Sequence, residues 1–76
     1  MLKISHLDKN SIASKIGLKR DDVVVAFNGE RACDLLDVAY FDSQSEFSMS
    51  VERNGKQLTF NVKKDANVDM GWDFYE

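Results

Sequence analysis

The sequence contains no proline and only one cysteine, one histidine and one tryptophan among its 76 residues. Without proline, turn geometry must come from Gly, Asn and Asp. The single cysteine, Cys33, excludes an internal disulfide and a cysteine-built metal cage, which favours a reducing, cytoplasmic location. No apolar run approaches the ~20 residues of a membrane span, so no membrane association is expected.

The charge balance and the length exclude several function classes. Acidic residues outnumber Lys and Arg by 13 to 10, whereas nucleic-acid binding needs a basic face. The chain has the length of one small domain, and most multi-substrate enzymes are longer. No phosphate-binding loop, EF-hand or metal-ligand cluster is present, so we expect neither a cofactor nor a metal. A non-catalytic binding module is therefore favoured.

The first half of the chain predicts the order strand, helix, strand. Leu2–Leu7 begins with alternating apolar and polar residues, which is typical of a strand with one buried face. A short helix follows, capped by Asn10 or Ser11 and ended by Gly17. The uninterrupted apolar run Val23–Phe27 predicts a strand covered on both faces.

A second helix is predicted from Asp34 to Phe41. Its apolar side chains span an arc of about 200°, roughly twice what packing on one sheet requires. They are Leu35, Leu36, Val38, Ala39 and Tyr40. The surplus apolar edge must face another surface.

The last third predicts a β-hairpin followed by a final strand. Apolar residues alternate along 47–51 and 58–62, and Asn54–Gly55 supplies a tight turn between them. In the final segment, 70–75, a period of two places Met70, Trp72 and Phe74 on one side. The overall prediction is an α+β fold with element order β-α-β-α-β-β-β.

Three blocks in register, Asn10–Ala13, Gly17–Val24 and Phe27–Glu30, resemble the conserved pattern of a PDZ domain. The resemblance implies a small, mostly antiparallel, partly open sheet or barrel capped by two helices. Two residues depart from the pattern. Ile12 replaces the usual Pro, and Asp21 replaces a turn Gly, where Asp still tolerates the left-handed conformation.

The glycine-containing loop that opens the family's peptide-binding strand is found here at the other end of the chain, as Met70-Gly71-Trp72-Asp73-Phe74. The sequence therefore resembles a circularly permuted PDZ domain of bacterial type. It is similar to the N-terminal PDZ-like domain of a bacterial family in which a radical-SAM-like iron–sulfur region follows. Residues 1–76 are thus expected to be a single PDZ-like domain taken from the N-terminus of a longer protein.

The resemblance implies peptide binding by β-strand addition in a groove between the final strand and the second helix. Met70, Gly71, Trp72, Asp73 and Phe74 would form the binding loop and strand. Leu36, Val38 and Tyr40 would form the helix wall, and the sequence does not determine which edge of the helix faces the groove.

The partner would be a protein or peptide segment, either internal or C-terminal, or the rest of its own chain. Backbone N–H groups around Gly71 could hold a carboxylate, but Asp69 and Asp73 would repel it. This charge favours an internal segment.

Two other functions remain open from the sequence. The domain could be an intramolecular scaffold for a larger, iron–sulfur enzyme, or a small enzyme that uses Cys33. The exposed edge strand could also pair two copies into a dimer. Asp34 and Asp37 are better explained as a solvated helix face, and His6 as a surface strand residue.

Overall fold

A computed structural model describes residues 1–76. The elements are β1 (Leu2–Leu7), α1 (Ile12–Ile16), β2 (Val23–Phe27), β3 (Glu30–Arg31), α2 (Leu35–Asp42), β4 (Glu46–Arg53), β5 (Lys56–Lys63) and β6 (Trp72–Phe74). The strands form one sheet in the order β5-β4-β2-β1-β6, and β3 pairs with β2. Every pairing is antiparallel. The predicted α+β fold with an open antiparallel sheet is confirmed. Neither helix has the length and apolar character needed to span a lipid bilayer.

The two glycine turns act as the sequence indicates. Asn54 and Gly55, with φ of 52° and 79°, form the predicted turn between β4 and β5, and Met49 pairs with Phe60 across the hairpin. Asn28 and Gly29 adopt similar angles. They close a second hairpin onto β3, a two-residue strand that the sequence did not predict.

The prediction that β2 is covered on both faces was wrong. Val24 and Phe27 are buried, whereas Val23, Val25 and Ala26 are only half-buried. The reason is that Val23, Val24 and Val25 line an open surface cavity, together with Arg31, Ala32 and Cys33 at and after β3. The continuous apolar run therefore correctly predicts a strand here, but it does not indicate that a second layer covers that strand.

Helix α1 begins and ends at the predicted residues. Ser11 is the N-cap, and its hydroxyl accepts a hydrogen bond from the Ser14 N–H at 3.1 Å. Gly17 ends the helix in the left-handed conformation with φ of 106°. Asp21 also adopts a positive φ, 73°, as its place in the turn before β2 requires.

The core is formed by the inner face of the sheet, the inner residue of α1 and one side of α2. The rings of Phe27 and Phe41 stack at 4.5 Å, and Phe47 packs edge-on against Phe27 at 5.9 Å. The buried apolar residues are Leu2, Ile4, Ala13, Leu18, Val24, Phe27, Val38, Phe47, Met49, Val51, Val62, Met70 and Trp72.

Asp22 is the only buried charged residue, and its carboxylate binds Arg53 through two hydrogen bonds of 2.7 Å. The same carboxylate accepts from the Lys19 N–H at 2.9 Å, and Arg53 also donates to the Gly17 carbonyl oxygen at 2.9 Å. The main chain of Asp22 accepts from the Ile4 N–H at 2.9 Å. One ion pair thus joins the end of α1, the turn before β2, strand β1 and the hairpin.

Strand β6 is anchored at both ends. Before it, the carbonyl oxygen of Gly71 accepts from the Asp8 N–H at 2.7 Å, and that of Met70 accepts from the Ala13 N–H at 2.9 Å. After it, the Tyr75 N–H donates to the Lys3 carbonyl oxygen at 2.9 Å. The path at Gly71 is crowded, since a Cβ atom there would lie 2.4 Å from the Ser11 Cβ.

We expect Asp22→Asn to lower the free energy of unfolding at neutral pH by about 3 kcal/mol, because Arg53 would lose its counter-charge in a largely buried site. Burial of the carboxyl group opposes its ionisation, but the hydrogen bonds from Arg53 and Lys19 outweigh this, and the pKa of Asp22 is lowered. A lowered folded-state pKa stabilises the fold above the unfolded-state value, and the stabilisation is lost as the pH falls through the folded-state value.

Urea unfolding from about pH 7 to about pH 2 would measure this difference. The gap between wild type and Asp22→Asn should be largest at neutral pH and should shrink below about pH 4. Asp69→Asn is the control, since Asp69 is exposed, and it should change the stability by less than about 0.5 kcal/mol. A gap that stays constant across this range would contradict the role given to the ion pair.

We expect Gly71→Ala to cost about 2 to 4 kcal/mol of stability, because it adds a steric clash to the cost of a positive φ. Gly55→Ala is the matched control: Gly55 has the same φ of 79°, and nothing lies within 4 Å of its added Cβ. That variant should lose only about 1 kcal/mol. Equal losses in the two variants, measured by urea unfolding, would show that the close approach to Ser11 is unimportant.

Candidate functional site

Strand β6 lies at the edge of the sheet and pairs only with β1. The Gly71 carbonyl and the Tyr75 N–H are directed toward β1. Main-chain polar groups alternate sides along an extended strand, so those of Trp72 and Phe74 are directed to the free edge. The final segment therefore has the unpaired main-chain row that strand addition requires.

An open groove of about 600 Å³ lies between β6 and α2. Strand β1 contributes Ser5, which sits at an irregularity in the β1–β6 register. The helix contributes Leu35, Val38, Ala39 and Asp42, and the C-terminal segment contributes Trp72, Asp73, Phe74, Tyr75 and Glu76. The groove thus has an apolar helix wall facing an edge strand, which is the arrangement that an extended segment needs.

On the helix wall, the structure separates the three predicted residues. Val38 lines the groove and is buried. Leu36 and Tyr40 do not line it, and these two residues are 78% and 60% exposed. Their places are taken by Leu35 and Ala39. The open question of which helix edge faces the groove is thereby answered in favour of the Val38 edge.

Of the predicted loop and strand residues, Trp72, Asp73 and Phe74 line the groove. Met70 is fully buried in the core, so its side chain is not part of the groove. Gly71, with φ of 79°, is also absent from the lining and acts by letting the chain pass close to Ser11.

Trp72 is the largest side chain of the groove. It is 8% exposed and packs edge-on against Phe74, with the ring centroids 5.1 Å apart. Its indole N–H is the one buried side-chain polar group without a hydrogen-bond partner. Such a group costs about 1–3 kcal/mol. Because it is also the only tryptophan, its fluorescence reports directly on the groove.

Asp42 is a groove residue that the sequence analysis missed. It is the last residue of α2, and its Oδ1 accepts a hydrogen bond from the Met70 N–H at 2.8 Å. A carboxylate at the C-terminal end of a helix is opposed by the helix dipole, and this unfavourable placement is the signal that could have revealed it. The Lys64 ammonium offsets that cost by donating to the Asp42 carbonyl oxygen at 2.6 Å.

The groove is acidic. Its lining includes the acidic residues Asp42, Asp73 and Glu76 and no Lys, Arg or His. Asp73 and Glu76 are exposed, whereas Asp42 is half-buried. An incoming segment therefore meets negative charge at the rim and apolar surface along the helix wall.

The other candidate residues have structural partners. Asp34 is the N-cap of α2, and Asp37 accepts from the Cys33 N–H at 2.8 Å. Cys33 is exposed, and its thiol lies 3.8 Å from the Arg31 carbonyl oxygen. The ring of His6, on the exposed side of β1, lies 3.1 Å from Asp8. No three His, Cys, Asp or Glu side chains come close enough together to hold a metal ion.

Comparison with known proteins gives a likeness of fold. No family model matches the sequence, and no curated protein matches it. Among solved structures, the PDZ domain of EpsC from Vibrio cholerae, residues 219–305, is similar with a TM-score of 0.53 and 21% sequence identity. The alignment covers 82% of this chain and 92% of that domain. The chain therefore has a PDZ-like fold.

Proposed function

We propose that this domain is a non-catalytic module that binds an extended protein or peptide segment by β-strand addition to β6. The observation that carries the proposal is the unpaired edge of β6 beside an open apolar groove. The PDZ-like fold supports it, because strand addition is a binding mode that this architecture can present.

The two sides of the groove have different tasks in this proposal. The outward main-chain groups of Trp72 and Phe74 pair with the backbone of the segment, which supplies affinity without regard to sequence. Alternate side chains of the segment turn toward α2, where Leu35, Val38 and Ala39 offer apolar contact. Selectivity then depends on the helix wall.

We also propose that the strand order is a circular permutation of the PDZ arrangement. In support, the strand beside the groove is the last in the chain and pairs with the first strand, β1. The Met70-Gly71-Trp72 loop then opens the binding strand from the C-terminal end of the chain.

A second function in cis is favoured by one observation. Leu36, Tyr40 and Val68 are exposed apolar residues outside the groove, where a segment bound in the groove would not cover them. In this alternative the domain is a scaffold that packs against, and positions, the catalytic part of a larger enzyme, such as an iron–sulfur enzyme. The scaffold would not bind free peptides measurably, which separates it from the main proposal.

The groove can be tested by filling it. We expect Ala39→Trp to reduce binding of peptides selected on the wild-type domain from a random displayed library by at least about tenfold, because the indole would occupy the path beside β6. Leu36→Trp is the matched control: it places the same side chain on the same helix, outside the groove. Binding to that variant should stay within about twofold of wild type.

Quenching or shift of the Trp72 fluorescence would follow binding to the wild type. For the two variants, which carry a second tryptophan, calorimetry replaces fluorescence. Equal loss of binding in the two variants, or none in either, would contradict the assignment of the groove. Self-association that Ala39→Trp abolishes would instead identify the occupant as the β6 edge of a second copy.

A further inference from the structure

We infer that the groove accepts a cationic segment from within a chain and rejects free C-terminal carboxylates, and that Asp42 is the residue that makes this choice. The inference rests on the proposed function and names the class of ligand for the same groove. Its basis is the hydrogen bond between Asp42 and the loop that begins the binding strand.

The first anion-binding donor of the loop before β6 is already occupied. The N–H groups of a tight loop form a concave anion site, and the N–H of Met70 is the first donor of the loop that leads into β6. That donor is already bound by the Asp42 carboxylate at 2.8 Å. Asp42 belongs to this same chain, so the domain already holds a carboxylate of its own on the first donor of the loop.

The negative charge of Asp42 would also repel a terminal carboxylate. A terminal carboxylate approaching this loop would come within a few ångströms of Asp42, and like charges at that distance oppose each other strongly away from bulk water. No basic side chain lines the groove to offset the repulsion. Lys64 donates to the carbonyl oxygens of Asp42 and Val68, at 2.6 and 2.7 Å, and Arg20 donates to the hydroxyl of Tyr75 at 3.3 Å.

Asp73 and Glu76 add exposed negative charge at the β6 rim of the groove, and the apolar residues of α2 line the other side. A segment with apolar side chains toward the helix and Lys or Arg toward β6 would complement both surfaces. The two ends of such a segment would continue beyond the groove, so that no terminus is needed.

The experiment displays one random peptide library in two formats, internal to a carrier protein and with a free C-terminus, and selects both on the wild-type domain. The Ala39→Trp variant serves for counter-selection. We expect enrichment in the internal format with an excess of Lys and Arg. Synthetic peptides from the selected clones are then made in free-acid and amidated forms, and the amide should bind about tenfold more tightly when its end lies at the loop.

Two variants of Asp42 and one control separate the effect of occupying the Met70 N–H from the effect of the negative charge. Asp42→Asn keeps an acceptor for the Met70 N–H but removes the charge, and Asp42→Ala also frees the N–H. Both should abolish the preference for the amide, and Asp42→Ala should reverse it. Glu52→Gln is the control for net charge, because Glu52 is exposed on β4, which β2 and β1 separate from β6.

A direct probe is sodium acetate, followed through the amide resonance of Met70 in two-dimensional NMR spectra. The resonance should not move in the wild type and should move saturably in Asp42→Ala. Should Asp42→Ala not fold, the loss of the amide preference in Asp42→Asn decides the matter.

The outcomes separate the two proposals. Selection of free C-termini by the wild type, or an unchanged amide preference in Asp42→Asn, overturns the inference while leaving strand addition in place. No enrichment over Ala39→Trp in either format overturns the proposed function, and the inference with it.

Discussion

The proposed function depends on a single constraint: β1 has a neighbour on each side, and β6 has only one. Because β1 pairs with β2 on one side and with β6 on the other, it fixes the position of β6 relative to the core. The free side of β6 faces a helix instead of solvent alone, and the space between them is the groove. A further strand of the same chain paired with β6 would close the site, whereas loss of the β1 pairing would remove one of its walls.

The interactions that keep this edge in place lie away from it. The Asp22–Arg53 pair fixes the turn before β2 against α1 and the hairpin, and the Asp22 main chain holds β1 at Ile4. Helix α1 then holds the loop before β6 through Ala13 and Ser11. These contacts lie outside the groove, so a bound segment need not touch them.

Most of the fold could be predicted because local signals agree with the final packing. The hairpin has a period of two over two eight-residue strands, and Gly17 and Asn54–Gly55 mark ends that only a left-handed residue can make. Strand β3 escaped prediction because two residues carry no periodicity. The run Val23–Phe27 overstated burial, because β-branched residues favour a strand whether or not a second layer covers it.

The site was less predictable, for reasons that lie in tertiary contacts. A 200° apolar arc on α2 is compatible with several rotations of the helix, and the stacking of Phe41 on Phe27 selects the one that turns Val38 inward and Leu36 and Tyr40 outward. The role of Asp42 depends on a partner 28 positions later, Met70. The position of Asp42 at the C-terminal end of α2 indicates an unfavourable placement, but it does not identify Met70 as the partner.

The pairing of β1 with β6 joins the two ends of the sequence, Leu2–Leu7 with Trp72–Phe74. Contacts at such long separation close the largest loop in the chain, and a three-residue strand repays little of that entropy. The β1–β6 ladder pairs three residues against eight in the β4–β5 hairpin, so its amides should exchange faster than those of the hairpin. A segment that adds to β6 would lengthen this short ladder, so that binding and the completion of folding become thermodynamically linked.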